Sequence, residues 1–207
     1  MIERKFVLQK MREHQIKEYV LNTLGRAGIS LVKLQLTPLG ERIIVHTSRP
    51  GLVVGKEGEA IKGLTVELKK KFELENPQLE IIEIAQPEID AQLVADRIAT
   101  FLERYGTKNF KGIMHKVINS ALATGARGIE VKISGKLPAA RAKSWRVLAG
   151  HLKKAGEAAM AQVDRGQAYA QLKPGTIGIQ VAIMRPQSEV APKVAEGGAV
   201  QAAEDAQ

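Results

Sequence analysis

The chain has 207 residues, with 31 Lys and Arg against 22 Asp and Glu, 44% apolar residues and no cysteine. This apolar content is ordinary for a globular core and argues against a disordered chain, while the absence of cysteine excludes disulfides, thiolate metal ligands and a cysteine nucleophile. A charged helical pattern, rather than an apolar signal segment, begins the sequence, and no run of about 18 apolar residues predicts a membrane span. The length suits two small domains, and we expect a soluble, intracellular protein.

In the first half of the chain, apolar residues recur at helical spacing in two long segments and alternate in three short ones. The predicted elements are, in chain order, a helix over 6–24, a strand over 31–37, a hairpin turn at 38–41, a strand over 42–47, a short apolar turn at 52–54, a helix over 60–72 and a strand over 79–84. With the turn before Gly55 counted as helical, the order is helix, strand, strand, helix, helix, strand.

Pro87 marks the boundary to the second half. The predicted elements there are amphipathic helices over 89–105 and 110–123 and strands over 129–133, 141–148 and 178–184. Two structures compete for 157–172, because its Ala-rich composition favours a helix while Gly166 in the middle opposes one. From Pro186 onward large apolar residues are few, and we expect that tail to be disordered.

The positive charge is concentrated in one stretch of the sequence. Residues 1–103 hold 15 basic and 15 acidic side chains, whereas residues 104–156 hold 12 basic side chains against Glu130 alone, a net charge of +11. Like charges at this density repel one another in a compact fold, which favours a polyanionic partner. Nucleic acid fits better than a membrane surface, because no apolar face with Trp or Phe accompanies the basic residues.

Gly-x-x-Gly occurs four times, and only the copy at Gly55 and Gly58 stands where it favours ligand binding. The other three copies, 25–28, 125–128 and 175–178, lie between a helix or turn and a strand, where helix ends and tight turns require glycine. The copy at Gly55 carries Lys56 and opens directly into an amphipathic helix. Small residues, a cation and helix N-terminal amides together are the chemistry that grips the backbone of a single-stranded nucleic acid.

Two segments carry a resemblance to known proteins. Residues 45–58, Val-His-Thr-Ser-Arg-Pro-Gly-Leu-Val-Val-Gly-Lys-Glu-Gly, and the helix after them resemble a type II KH domain. Residues 125–137, Gly-Ala-Arg-Gly-Ile-Glu-Val-Lys-Ile-Ser-Gly-Lys-Leu, with Arg-Ala-Lys-Ser at 141–144 and Gly-Ile-Gln-Val at 178–181, resemble the C-terminal domain of the ribosomal protein S-three family. The similarity covers about residues 1–185, and Arg-Ala-Lys-Ser is more similar to the archaeal and eukaryotic branch than to the bacterial one.

The resemblance implies an α+β protein with two domains. The first is a type II KH domain, a three-stranded sheet with helices on one face. The second is an α/β domain of two helices packed on a four-stranded, mostly antiparallel sheet, and the resemblance implies strand rather than helix for much of 160–172. The implied division is a helical extension at 1–16, the KH domain at 17–86, the C-terminal domain at 87–185 and the tail at 186–207.

The resemblance also implies a structural protein of the small-subunit head, in cytoplasmic ribosomes, that binds ribosomal RNA, borders the channel by which messenger RNA enters and contacts neighbouring head proteins. The candidate RNA-binding residues are Gly55, Lys56, Glu57, Gly58, Lys62, Lys108, Lys111, Lys116, Lys132, Lys136, Arg141, Lys143, Arg146, Lys153 and Lys154. Two departures from the family pattern stand out. Glu57 is an acid where relatives often have a base, and Gly112 and His115 occupy helix positions that are commonly basic in bacterial relatives.

The sequence shows no group of residues that is typical of an enzyme active site. We therefore predict no catalytic residue, cofactor, metal site or small-molecule substrate. Residues 51–57 differ from a nucleotide-hydrolase loop, because one residue is missing between the glycines and Glu57 replaces the Ser or Thr that holds magnesium. The four histidines are scattered. For Trp145, packing against the sheet is favoured over stacking on a base. Two alternatives stay open: a KH-containing assembly or elongation factor that binds RNA transiently, and a lysine-dependent nucleic-acid lyase.

Overall fold

The computed structural model describes residues 2–37, 40–72, 74 and 76–186. Its helices are α1 (Ile2–Leu24), α2 (Pro50–Val54), α3 (Glu59–Phe72), α4 (Ala91–Tyr105), α5 (Phe110–Ala123) and α6 (Glu157–Gln162), with 3-10 turns at Gly25–Ala27 and Lys56–Gly58. Its strands are β1 (Ile29–Thr37), β2 (Gly40–Thr47), β3 (Gln78–Glu83), β4 (Gly128–Lys136), β5 (Ala142–Gly150), β6 (Val163–Leu172) and β7 (Gly175–Met184).

The first three strands form a sheet in the order β1-β2-β3, with β1 and β2 antiparallel and β2 and β3 parallel. Apolar side chains of α1 and α3, among them Ile16 and Leu68, pack with Ile43 and Val45 of the central strand in one buried cluster. The predicted element order and the KH architecture are confirmed, with 52–54 forming the short helix α2 rather than a turn.

Helix α1 runs without interruption through the predicted boundary between an N-terminal extension and the KH domain. Its second half is anchored in the KH core by Ile16 and Val20, both buried. Its first half projects into solvent and exposes apolar side chains such as Phe6 and Leu8. Residue 16 therefore lies inside one continuous helix.

The second domain packs α4 and α5 on one face of a four-stranded sheet with the order β5-β4-β7-β6. All three strand pairings are antiparallel. Helix α4 is capped by Asp90, the residue before it, whose carboxylate accepts hydrogen bonds from the backbone N–H groups of Gln92 and Leu93. Residues such as Ile98 and Leu102 then bury its apolar face, as the helical spacing predicted.

The ambiguous segment 157–172 contains both structures. Helix α6 covers its Ala-rich first part, and β6 begins at Val163. Gly166 lies in the strand because α4 begins directly above it: a Cβ at this position would lie 2.2 Å from the carbonyl oxygen of Ala91. The glycine that opposed a helix is thus a point of close packing between α4 and the sheet.

One further prediction, the turn at 38–41, is wrong in its bounds, and another, the disordered tail, concerns residues that the structure largely does not describe. The predicted turn at 38–41 is too long, because Gly40 and Glu41 already belong to β2; Gly40 pairs with Thr37. Pro38 and Leu39 lie outside the described residues. So does the predicted disordered tail, apart from Pro186.

Candidate nucleic-acid interface

Residues of β4 alternate between core and solvent, which separates the basic side chains of this strand from its apolar ones. Ile129 and Val131 are buried in the cluster that also contains α4 and α5, whereas Lys132 and Lys136 are exposed. Successive side chains of a strand point to opposite faces. The two lysines therefore stand on the face of the sheet that points away from the helices, which we call the outer face.

Strand register assembles polar residues from all four strands into one row on the outer face. Lys132 lies opposite Arg146 on β5 and opposite Gln180 on β7, and Gln180 lies opposite Gln167 on β6. Neighbouring strands are about 4.8 Å apart, so the row spans roughly 14 Å. Arg165 points the same way as Gln167, two residues earlier on β6.

The single acid of the basic block, Glu130, lies on the same face and pairs with two of its cations. Glu130 Oε1 is 2.5 Å from Arg146 Nε, and Glu130 Oε2 is 3.2 Å from Lys154 Nζ. All three side chains are partly open to solvent, so each pair contributes little stability. The carboxylate fixes the positions of two cations and neutralises one unit of charge.

A second group of lysines stands on the helix side of the domain. Lys108 and Lys116 are exposed, and the Lys111 ammonium lies 4.5 Å from the centre of the Trp145 ring. The Trp145 ring is itself 5.6 Å from the ring of Phe110 and packs against the core. Trp145 packs in the core as was favoured, but it belongs to β5 itself and its ring packs on a residue of helix α5 rather than on the sheet.

The candidate residues of the basic block are therefore distributed over two surfaces and one edge of the sheet. Lys132, Lys136, Arg146, Lys153 and Lys154 belong to the outer face and Lys108, Lys111 and Lys116 to the helix side, while Arg141 directly precedes the edge strand β5 and Lys143 lies at its start. Lys136 also donates a 3.0 Å hydrogen bond to the carbonyl of Pro174.

The Gly-x-x-Gly loop joins α2 to α3, and the surroundings of its two glycines differ. Both have positive φ, 72° for Gly55 and 76° for Gly58. A Cβ on Gly55 would lie 2.8 Å from the Cβ of Ala60, whereas a Cβ on Gly58 would meet nothing within 4 Å. Gly55 thus serves helix packing, and Gly58 leaves open space above the loop. Lys56 is exposed, and the side chain of Glu57 lies outside what the structure describes.

Counted over the side chains that the structure describes, the lining of the groove beside this loop has no net charge. A cavity of about 780 Å³ is lined by Lys56, Lys62, Glu59, Glu67, Gly63 and Val66, so two lysines face two glutamates. Glu67 also accepts a 2.5 Å hydrogen bond from the Tyr19 hydroxyl. The predicted loop residues and Lys62 are brought together, but in a neutral setting.

Curated relatives match the chain over nearly its whole described length. It is 41% identical to a small ribosomal subunit protein uS3 of Methanocaldococcus jannaschii, over 90% of this chain and 88% of the relative. It is 40% identical to the protein of the same name from Methanothermobacter thermautotrophicus, over 90% of this chain and 71% of the relative. The chain belongs to the uS3 family. The archaeal source of both relatives agrees with the branch indicated by Arg-Ala-Lys-Ser.

Two family models divide the uS3-type chain as its two sheets do. Residues 15–89 match the model described as KH domain, and residues 98–183 match the one described as ribosomal protein S3, C-terminal domain. The neutral loop and groove fall in the first match, and both basic surfaces fall in the second.

The structure adds residues that the sequence argument missed. Arg165, Gln167 and Gln180 stand on the outer face, but Arg165 lies beyond the basic block and glutamines carry no charge signal. Among residues 2–37, 40–72, 74 and 76–186, no three His, Asp or Glu side chains are grouped as metal ligands would be. No described helix is long and apolar enough to cross a membrane.

Proposed function

We propose that the chain is a structural, non-catalytic protein of the small ribosomal subunit that holds ribosomal RNA mainly through its C-terminal domain. As a member of the uS3 family it has small-subunit ribosomal RNA and ribosomal proteins as partners, in the ribosomes of the cytoplasm, and it is not an enzyme. The observation that carries the RNA contact is the charge of residues 104–156, where 12 basic side chains face one acid. Their exposure leaves most of them available to phosphate.

The two domains contribute differently to this RNA contact, because one supplies most of the affinity and the other positions the protein. The candidate residues of the C-terminal domain supply electrostatic affinity by releasing counterions from RNA. The loop at Gly55–Gly58 has open space above Gly58 and one exposed cation, Lys56, in a neutral groove. This loop therefore positions the KH domain on the RNA and contributes little to the affinity. We assign the helix-side lysines, Lys108, Lys111 and Lys116, to the border of the messenger channel.

The decisive experiment distinguishes an integral protein from a transient factor. A tagged copy of the full chain is produced in a methanogenic archaeon, and its small subunits are washed at high salt and sedimented. A structural protein stays with the subunit at one copy per particle, whereas an assembly or elongation factor washes off. Borohydride treatment with abasic-site DNA tests the lyase alternative, and the absence of a covalent adduct removes it.

A further inference from the structure

The outer face of the second sheet is not flat but forms an open groove. Its volume is about 360 Å³, and its lining includes Lys132, Lys153, Lys154, Arg165, Gln167 and Gln180. The floor is made of β4, β7 and β6, where small side chains such as Ala182 leave room for close approach. One wall is formed by the segment 151–154, which we call the strap.

The strap is held against the sheet by backbone packing. A Cβ on Gly128, at the start of β4, would lie 2.1 Å from the carbonyl oxygen of His151, so only glycine lets the strap cross here. The N–H of His151 donates a 2.9 Å hydrogen bond to the carbonyl of Arg127. The positions of Lys153 and Lys154 therefore follow from the fold and not from a free loop.

The groove is cationic, and its charges are largely uncommitted. Lys132, Lys153 and Arg165 make no ion pair with any side chain in the described part of the chain. The one carboxylate in the lining, Glu130, is held between Lys154 and Arg146. The lining thus offers an anion three cations without an ion-pair partner, and its one carboxylate is already paired with two other cations.

We propose that this groove holds the sugar–phosphate backbone of ribosomal RNA, an inference that rests on the proposed function. Lys132, Lys153 and Arg165 contact phosphates as cations. The amides of Gln167 and Gln180 both donate and accept hydrogen bonds, which suits the 2′-hydroxyl as well as phosphate. Arg165 and the two glutamines thereby join the interface, although they lie outside the basic block of the sequence.

The test compares three triple variants of the full chain, each of which removes three positive charges. The groove variant carries Lys132→Gln, Lys153→Gln and Arg165→Gln. The helix-side variant and the control variant are built from exposed residues: Arg104→Gln, Lys108→Gln and Lys116→Gln for the first, and Lys33→Gln, Lys69→Gln and Lys70→Gln in the KH domain for the second. Binding to a small-subunit ribosomal RNA transcript is measured over a series of KCl concentrations, with thermal melts to check folding.

The groove variant is expected to lower the slope of log affinity against log salt by about 2.1 to 2.7, or 0.7 to 0.9 for each of the three phosphates that are no longer neutralised, while the control variant leaves the slope unchanged. A reduced slope confined to the helix-side variant overturns the groove and leaves the proposed function intact. An equal reduction in all three variants overturns it as well, because net charge would then explain binding. If the unsubstituted chain fails to bind the transcript, the proposed function itself fails.

Discussion

Replacing Gly128 with alanine tests the seating of the strap without changing any charge. The new Cβ would lie 2.1 Å from the carbonyl oxygen of His151 and 2.8 Å from its nitrogen. Favourable contacts between heavy atoms begin near 3.5 Å, so the backbone at His151 has to move by roughly 1 Å or more. That movement breaks the hydrogen bond from His151 to Arg127 and carries Lys153 and Lys154 away from the sheet.

Two effects of different size are expected. Breaking the hydrogen bond costs about 1 kcal/mol and the overpacking about 1–2 kcal/mol, so the free energy of unfolding should fall by about 2–3 kcal/mol. Displacement of Lys153, the strap lysine without an ion pair among the described residues, should lower the salt slope of RNA binding by about 0.7 to 0.9, the equivalent of one phosphate contact. The net charge of the chain is the same before and after the substitution, so it cannot explain the second effect.

Urea unfolding followed by circular dichroism measures the first effect, and a titration of RNA at several salt concentrations measures the second. Gly112→Ala is the matched control, because Gly112 is exposed in α5 and a Cβ there meets nothing within 4 Å. It should raise stability by about 0.5–1 kcal/mol and leave the slope unchanged. Unaltered stability in Gly128→Ala would refute the seating of the strap, and reduced stability with an unaltered slope would refute its contact with RNA.

Three further results are expected. Changing both Lys56 and Glu57 to Asp should lower the salt slope by no more than about 0.9 and leave the melting temperature unchanged, because Lys56 is exposed and supplies one contact. Burial raises the pKa of Asp96 from 3.8 to about 6, so stability declines as the pH rises through that range. Asp96→Asn should therefore unfold at higher urea than the unsubstituted chain at pH 8, by on the order of 1 kcal/mol, and the difference should disappear at a pH below the ordinary pKa of 3.8. The sequence has no cysteine, so iron–EDTA tethered through Gln180→Cys should cleave ribosomal RNA in assembled subunits, and Lys70→Cys serves as the control; cleavage from position 70 but not from 180 contradicts the groove.

The sequence predicted elements well where one local pattern decides the structure. Apolar spacing gave the bounds of α5, Phe110–Ala123, and alternation located β4. The segment 157–172 could not be resolved in this way, because the features that decide it are distant in sequence. Ala168 and Ala170 are buried in the core shared with α4, and the backbone of α4 packs on Gly166. Small residues that suit a helix by propensity here let a helix approach a strand.

The sequence predicted which domain carries the candidate site but not which surface of that domain. Counting charge located the C-terminal domain, but strand register decides that Lys132 and Arg146 share a face from which Lys111 is excluded. The neutral charge of the groove beside the Gly-x-x-Gly loop could have been predicted from the sequence. Glu59, Gly63 and Glu67 follow one another at intervals of four on α3, which places both acids on one side of the helix beside Lys62.

The motif and the charge therefore report on different properties of this chain. The Gly-x-x-Gly loop identifies the KH fold, yet Gly55 is required by its own packing against Ala60, and the groove beside the loop is neutral. The groove on the outer face is not marked by any one motif, because its lining residues come from three strands and the strap and are separated in the sequence. A surface of this kind is assembled by strand register, so the RNA contact proposed for it depends on where the backbone places each cation rather than on the order of the cations in the sequence.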